Sequence, residues 1–306
     1  TLWDALCGFL LRSPLSQSPD LTNPLALLTH ARRVTLTGPG GLDREQPSLN
    51  TRDVHPSAYG RLCPLETPEG PNIALILSLA THARVDADGR VLAPYRRVEA
   101  GRATDRVAWL AAEEERECVV ADALSVGPGG ELPEWLTARY DWKFRRCSRD
   151  EVDYVDASPG HPLGVSASLI PFLGHDDPNR ALMGANMQRQ ALALLRSEAP
   201  LVATGTEAAA ACCRPRGTSR GFDFGSLCDD ELALGRNVLV AYLPWHGFNF
   251  EDALVVSDRV VRDEVFTSIA LQQVKATVSP HERLARDEAL PRDQLARLDD
   301  RGVIRE

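Results

Sequence analysis

The sequence predicts a mixed α/β (α+β), multidomain fold, and three observations support this prediction. The length of 306 residues is typical of about two or three domains. Helical spacing of apolar residues recurs near the N-terminus and after Asp177. Between these helices, residues 96–156 contain short β-like runs separated by the Gly-Pro-Gly-Gly turn at residues 127–130, which predicts a small antiparallel β-rich module.

The N-terminal part alternates short helices with turns. Residues 3–12 have helical spacing, with Leu2, Leu6, Phe9 and Leu10 on one side. Residues 13–20 break this helix because serines and prolines are frequent there, and Asn23-Pro24 restarts a short one. Residues 37–41, Thr-Gly-Pro-Gly-Gly, predict a tight turn whose glycines take positive φ.

Residues 52–72 form the most unusual stretch. Three prolines and two glycines lie within residues 60–72, which predicts an irregular but stiff loop. Such a backbone would hold Glu66, Glu69 and Asn72 in fixed directions, as a binding site requires. The same residues also suit a rigid surface turn without a binding role.

An Asp-Ala-Asp-Gly turn follows at residues 86–89, between extended runs at 81–85 and 90–95. Two carboxylates at this spacing are compatible with a metal site. We favour a β-hairpin, because glycine follows directly and no third acidic residue is near in sequence.

A helix is predicted to begin at Pro178, with Asp177 as its N-cap, and to continue to about Arg196. Helical geometry places four side chains on one face: Asn179, Met183, Asn186 and Gln190. Arg180 and Arg189 flank that face, while Leu182, Ala185, Leu192 and Leu195 turn away from it. A row of amides edged by arginines suits sugar hydroxyls and phosphate oxygens. The alternative is a polar face that meets solvent.

Residues 237–243 are apolar at nearly every position, which predicts a strand buried on both faces. A second buried strand is expected at residues 253–256. Glu251 and Asp252 lie between the two strands, where carboxylates cost free energy unless they are solvated, paired or near a cation.

Composition excludes some classes of function. The net charge of −9 argues against a free-standing nucleic-acid-binding protein. None of the seven cysteines forms a Cys-x-x-Cys pair, so we expect no zinc site and reduced thiols in a cytoplasmic protein. The apolar run at residues 5–11 is too short to cross a membrane. Because the chain starts with Thr1, we expect a piece of a longer protein.

Three blocks of the sequence resemble one family. Residues 52–72, RDVHPSAYGRLCPLETPEGPN, resemble the fork-region signature of the beta subunit of bacterial DNA-directed RNA polymerase. Residues 169–190 and 231–252 resemble later blocks of that subunit, in the same order. The resemblance implies a fork-like region at 1–80, an external β-rich module at 81–156 and, at 157–306, the start of the hybrid-binding region with part of a double-psi β-barrel. The last region is shortened around residues 208–230.

The resemblance also implies roles for particular residues. The residue that matches Arg180 contacts the phosphates of the incoming nucleotide, and the acids that match Glu251 and Asp252 lie near the second magnesium ion. Substrate and RNA placement is further implied for Glu69, Asn72, Arg33, Arg44, Asn186, Arg189 and Gln190. Within residues 15–44, which resemble the rifamycin pocket, the matching positions include Gln17, Asp20, His30 and Arg33.

The function implied is nucleotide and RNA positioning in template-directed RNA synthesis, with a chain that is inactive alone. The expected partners are the beta-prime and alpha subunits, template DNA, RNA and nucleoside triphosphates, and no membrane. The expected cofactor is Mg²⁺, held mainly by beta-prime, with no metal site in this chain. One alternative is a non-catalytic fragment that only binds a partner, and another is a metal hydrolase that uses Glu251 and Asp252.

Overall fold

The computed structural model describes residues 1–13, 15–42, 49–207, 227–228 and 231–268. Helices and sheets occupy different parts of these ranges, which makes an α+β fold, as predicted. The helices are α1 (Leu2–Arg12), α2 (Pro24–Ala31), α3 (Ala112–Arg116), α4 (Val165–Ser168), α5 (Pro178–Gln190) and α6 (Asp258–Arg262). The strands are β1 (Arg33–Thr35), β2 (Ile76–Ser78), β3 (Arg84–Val85), β4 (Val91–Glu99), β5 (Arg102–Leu110), β6 (Val120–Ala121), β7 (Trp135–Tyr140), β8 (Lys143–Ser148), β9 (Tyr154–Asp156), β10 (Leu227–Cys228) and β11 (Glu231–Leu232).

The main sheet contains seven strands, in the order β3-β4-β9-β6-β7-β8 with β5 paired to β4. Its pairs are antiparallel except β6 and β9, which run parallel with Val120 opposite Tyr154. The hairpin at residues 84–92 is confirmed, because Arg84 pairs with Leu92. The Asp86 carboxylate accepts N–H groups from Asp88 and Arg90 inside the turn, so it serves the turn's own backbone.

Three groups of buried apolar side chains stabilise these elements. The largest lies on the main sheet and includes Leu132, Leu136 and Val155. A second centres on Tyr95, also in the sheet. The third joins α2, α4 and β11 through Leu25, Leu28, Val165 and Leu232. Burial of apolar side chains is the main favourable contribution to folding, so these groups fix how the elements meet.

An ionic joint connects residues 59–61 to the main sheet. We define it by Tyr59, Arg61, Glu115, Arg139 and Asp156. Arg61 Nη1 and Glu115 Oε2 are 2.6 Å apart, and both side chains are only 4% exposed. Arg139 donates two hydrogen bonds to Asp156, at 2.7 and 3.1 Å, and Tyr59 donates a third at 2.9 Å. Each buried charge of the joint therefore faces an opposite charge.

His161 lies beside this joint and is fully buried. Its ring packs against Tyr95 and Tyr59, with centroids 4.9 and 5.7 Å away. Gly60 has a φ of +70°, and a Cβ atom there would lie 2.2 Å from His161 Nε2. Glycine is required at position 60 for both reasons, since other residues rarely adopt this φ and no space exists for a side chain.

Several expectations from the sequence are wrong. Residues 237–243 and 253–256 form no strand, and most of their side chains are exposed, so Glu251 and Asp252 do not lie between buried strands. An apolar run becomes a strand only when another strand pairs with its backbone, and no described strand pairs with these runs. Helix α5 ends at Gln190, before Arg196, and Leu192 and Leu195 are half exposed.

Helix α1 matches its prediction, although none of its residues is buried. Within the described ranges, no sheet closes into a barrel, which is compatible with part of a barrel in a larger multidomain subunit. Among the same residues, no helix has the length and apolar character needed to cross a membrane.

Candidate functional site

A cavity of about 590 Å³ lies between α5 and the loop at residues 63–69. Strands β1 and β2 and the segment before α2 complete its wall. The residues that line it come from these five elements: Asp20, Thr22, Arg33, Glu66, Pro68, Glu69, Ile76, Leu77, Ser78, Met183, Asn186, Met187, Arg189 and Gln190. Six residues predicted for the site are in this list: Asp20, Arg33, Glu69, Asn186, Arg189 and Gln190.

The loop at residues 63–69 is shaped by its own backbone contacts. The Cys63 sulfur accepts the N–H groups of Leu65 and Glu66, at 3.4 Å each, which closes a tight turn. The Thr67 hydroxyl accepts the N–H of Ala74 at 2.7 Å. These contacts, together with Pro64 and Pro68, hold Glu69 at the open side of the cavity, where its side chain is exposed.

Helix α5 forms the opposite wall. It begins as predicted, because Asp177 accepts the N–H of Asn179 at 3.0 Å and Pro178 occupies the first turn. Ala181 and Ala185 are its buried residues. Small side chains at these positions allow α4 to approach closely, which turns the larger polar residues of α5 toward the cavity.

Asn23 fixes the end of α5. Its amide nitrogen donates to the carbonyl oxygens of Gln188, Arg189 and Ala191, at 3.0, 3.2 and 2.7 Å. Its amide oxygen accepts the N–H of Ala26 at 2.7 Å and so caps the start of α2. One fully buried side chain therefore satisfies the backbone at the ends of two helices.

Asn186 connects the two walls. Its amide nitrogen donates to the Thr67 carbonyl at 3.1 Å, and its amide oxygen accepts a hydrogen bond from Arg189 Nη2. The predicted amide row thus contacts the proline-rich loop directly. This contact joins segments that are 119 residues apart in sequence.

Asp20 is held by a chain of hydrogen bonds that ends in Gln17. The Asp20 N–H donates to His30 Nδ1 at 3.0 Å, so the proton of a neutral His30 ring is on Nε2, which lies 2.8 Å from Gln17 Oε1. Burial opposes ionisation of the Asp20 carboxyl. Its hydrogen bonds with Thr22 and the positive charge of Arg33 outweigh this effect, so its pKa lies below the usual value.

Charge in the cavity is mixed. Burial lowers the pKa of Arg189, and the carboxylate of Glu66 opposes that change. Burial raises the pKa of Glu66, while the N–H of Ala167 and the charge of Arg189 oppose the rise. Arg33 and Glu69 form no ion pair within the part of the chain that the structure describes. Their charges are therefore available to a molecule that enters the cavity.

The other predicted site residues lie elsewhere. Arg180 is on α5, one turn before Met183, and its Nη1 lies 3.4 Å from the Met183 sulfur. Asn72 is exposed three residues after Glu69, and Gln17 and His30 stand behind Asp20. Glu251 and Asp252 occupy an exposed turn and line none of the described cavity. Arg44 lies outside the described residues.

The site predicted from sequence omitted some cavity residues. Thr22, Ile76, Ser78 and Met187 line the wall but belong to no distinctive motif. Glu66 lies in the proline-rich loop, and its burial distinguishes it from Glu69. No sequence pattern separates these two glutamates, because the difference depends on the distant helix α4.

Comparison with known proteins gives concordant matches along the chain. Residues 17–85 match RNA polymerase Rpb2, domain 3, residues 95–158 match the RNA polymerase beta subunit external 1 domain, and residues 166–306 match RNA polymerase Rpb2, domain 6. The chain belongs to the RNA polymerase beta-subunit family. It matches a segment of such subunits, because the three matched domains follow one another along it and it covers 33% of a listed relative.

Curated relatives agree with this assignment. DNA-directed RNA polymerase subunit beta of Gloeobacter violaceus is 43% identical over 366 residues, which covers 98% of this chain and 33% of the relative. The subunit of Aquifex aeolicus is 38% identical, with 98% of this chain and 26% of the relative covered. This chain therefore spans about a third or less of these relatives. Because the Gloeobacter alignment is longer than the 306-residue chain, that relative contains residues without a counterpart here.

Proposed function

We propose that this segment positions nucleotide and RNA for template-directed RNA synthesis within a DNA-directed RNA polymerase. The observation that supports this proposal is the cavity in which Arg33, Glu69, Asn186, Arg189 and Gln190 come together. Guanidinium groups bind phosphate oxygens in pairs, and amides bind sugar hydroxyls. A polyphosphate with a ribose presents both kinds of group.

The proposed assembly contains the beta-prime and alpha subunits, in the bacterial cytoplasm, with template DNA, RNA and nucleoside triphosphates as ligands. In it, Arg180 and Asn72 would extend the contact surface beyond the cavity, since both are exposed near residues that line it. The chain alone would be inactive, because the proposed role is placement of reactants.

We propose that this chain holds no Mg²⁺ ion of its own. Within the described ranges, no three His, Cys, Asp or Glu residues cluster closely enough to hold a metal. Glu251 and Asp252 lie in an exposed turn with no third carboxylate near them in this part of the chain. In the proposed assembly, Mg²⁺ is held mainly by beta-prime, and this chain contributes positioning through the cavity.

Reconstitution with alpha and beta-prime subunits tests the proposal. We expect RNA synthesis from a DNA template, and an Arg189→Ala variant that raises the KM for nucleoside triphosphates by about tenfold or more, because charge-assisted contacts to phosphate are lost. Arg106→Ala is the matched control, since this exposed arginine lies on β5 and lines none of the described cavity.

The same experiment tests a second candidate function, a fragment that only binds partner subunits. The longer Gloeobacter relative and the exposed residues 238–243 favour this candidate. Assembly without RNA synthesis would support it and contradict the first proposal. Failure to assemble would contradict both.

A further inference from the structure

Helix α5 ends without the left-handed residue that closes many helices. Ala191, which follows it, has an extended backbone with φ of −61° and ψ of 129°, and its N–H makes one long contact, 3.4 Å to the Gln188 carbonyl. The last carbonyl groups of any helix lack partners within the helix. In α5 this last turn includes Arg189 and Gln190, which both line the cavity. The order of the turn therefore depends on contacts from elsewhere in the chain.

Asn23 supplies those contacts from 165 residues away. Its amide nitrogen donates to the carbonyl oxygens of Gln188, Arg189 and Ala191, at distances from 2.7 to 3.2 Å. These three carbonyls lie on both sides of Gln190 in sequence. The Asn23 side chain is 0% exposed and lines none of the cavity. It can therefore affect a molecule in the cavity only through the residues that it holds.

An amide at position 23 meets two requirements at once. Its oxygen accepts the N–H of Ala26 at the start of α2, and its nitrogen donates to the end of α5. An ionised carboxylate caps a helix equally well but donates no hydrogen bond. The Arg189 side chain is fixed separately, because its Nη2 donates to the Asn186 amide oxygen. Arg189 is thus held by its backbone and by its guanidinium.

We propose that Asn23 is a positioning residue that sets Arg189 and Gln190 for nucleotide binding by anchoring their backbone. A displacement of about 1 Å in a binding group is enough to weaken a contact that depends on geometry. The nucleotide part of this inference rests on the function proposed above. The anchoring part depends only on hydrogen bonds within the chain.

The first measurement is backbone hydrogen exchange in the purified full chain. Asn23→Asp keeps the size of the side chain and the cap of α2, but it replaces the donor with an oxygen that faces three carbonyl oxygens. We expect the N–H groups of residues 188–190 to exchange about tenfold faster, because the last turn of α5 opens more often. The Ala26 N–H should change by less than about twofold, because its acceptor is retained.

Asn237→Asp is the matched control, because this half-buried amide also bonds to two backbone groups and touches neither α2 nor α5. Unchanged exchange in the last turn of α5 in Asn23→Asp would overturn the inference, as would an equal change in Asn237→Asp. If Asn23→Asp does not fold, Asn23→Ser is measured instead. Its hydroxyl caps α2 but is one bond shorter, so the same increase is expected, and unchanged exchange would again overturn the inference.

The second measurement separates KM for nucleoside triphosphates from kcat in the reconstituted polymerase. Asn23→Asp should raise the KM by about fivefold and change kcat by less than about twofold, because it weakens the binding of the nucleotide before and during the reaction alike. A purely structural role would reduce the amount of active enzyme, which lowers the apparent kcat and leaves the KM unchanged. That result would overturn the positioning role.

The route through the cavity residues is tested in an Arg189→Ala, Gln190→Ala background. Asn23→Asp should have no further effect on the KM there, because the groups that it positions are already absent. An independent effect would contradict this route. If Arg189→Ala, Gln190→Ala itself leaves the KM unchanged, the proposed function is contradicted, and hydrogen exchange decides the anchoring by itself.

Discussion

Arginines and carboxylates meet in two parts of this chain, the cavity and the ionic joint. In the joint, Arg61 contacts Glu115 and Arg139 contacts Asp156. Each of these four side chains is at most 13% exposed. In the cavity, Arg33 and Glu69 are exposed and form no ion pair within the described ranges. A charge pair that is buried in the fold is costly to break, whereas charges that face an open space are available for a ligand.

The largest expected effect separates the two regions by stability. Glu115→Ala should lower the free energy of unfolding by about 3–5 kcal/mol, because it leaves Arg61 buried without its counter-charge. Urea denaturation followed by circular dichroism measures the loss. Glu99→Ala removes the exposed partner of Arg106 and serves as the control, with a much smaller loss expected. Equal losses would contradict the distinction.

The stability of the protein should also depend on pH through His161, which lies beside the ionic joint. Burial lowers the pKa of His161 to about 4 from 6.5. As the pH falls, His161 therefore takes up a proton in the unfolded chain before it does so in the folded chain. The contribution of neutral His161 to stability is complete above pH 6.5 and is lost as the pH falls toward 4. The free energy of unfolding should fall by about 3 kcal/mol over this pH range. Denaturation at several pH values measures it, and a His161→Leu variant should show a shallower decrease.

A matching slope in the His161→Leu variant would assign the acid sensitivity to other groups.

Asn23→Ala should have an intermediate effect on the free energy of unfolding, because Asn23 is a buried residue that supports one wall of the cavity. It removes the cap of α2 and the donor to three carbonyls at the end of α5. We expect a loss of about 2 kcal/mol in the free energy of unfolding, together with faster hydrogen exchange in the last turn of α5. Asn237→Ala is the control, because this half-buried amide bonds to Ala199 and Leu201 and touches neither α2 nor α5. Unchanged exchange in α5 would show that its end is fixed in another way.

The smallest effect on stability should come from the cavity. Arg33→Ala should change the free energy of unfolding by no more than about 0.5 kcal/mol, because Arg33 is exposed and pairs with no described acid. The same variant should lower nucleotide affinity in the reconstituted polymerase. A large stability loss would place Arg33 with the joint and remove it from the proposed ligand contacts.

The sequence predicted local features better than distant ones. The start of α5 was predictable because Asp177 and Pro178 are adjacent to it, but its end depends on Asn23, which is 165 residues away from Gln188. Residues 237–243 have the composition of a buried strand, yet composition does not supply a pairing strand. The amide row of α5 was predictable from helical spacing. Its contact with Thr67 was not, since it joins two separate segments.

Asn23 gives the cavity an unusual mechanical property. Because the same amide binds the last turn of α5 and the first turn of α2, neither helix can slide along its axis without breaking bonds at the other. A shift of α5 along its axis would disturb α2 and, through His30, the backbone of Asp20, which also lines the cavity. The end of α5 and the backbone of Asp20 are therefore connected through Asn23, α2 and His30, although they lie far apart in sequence.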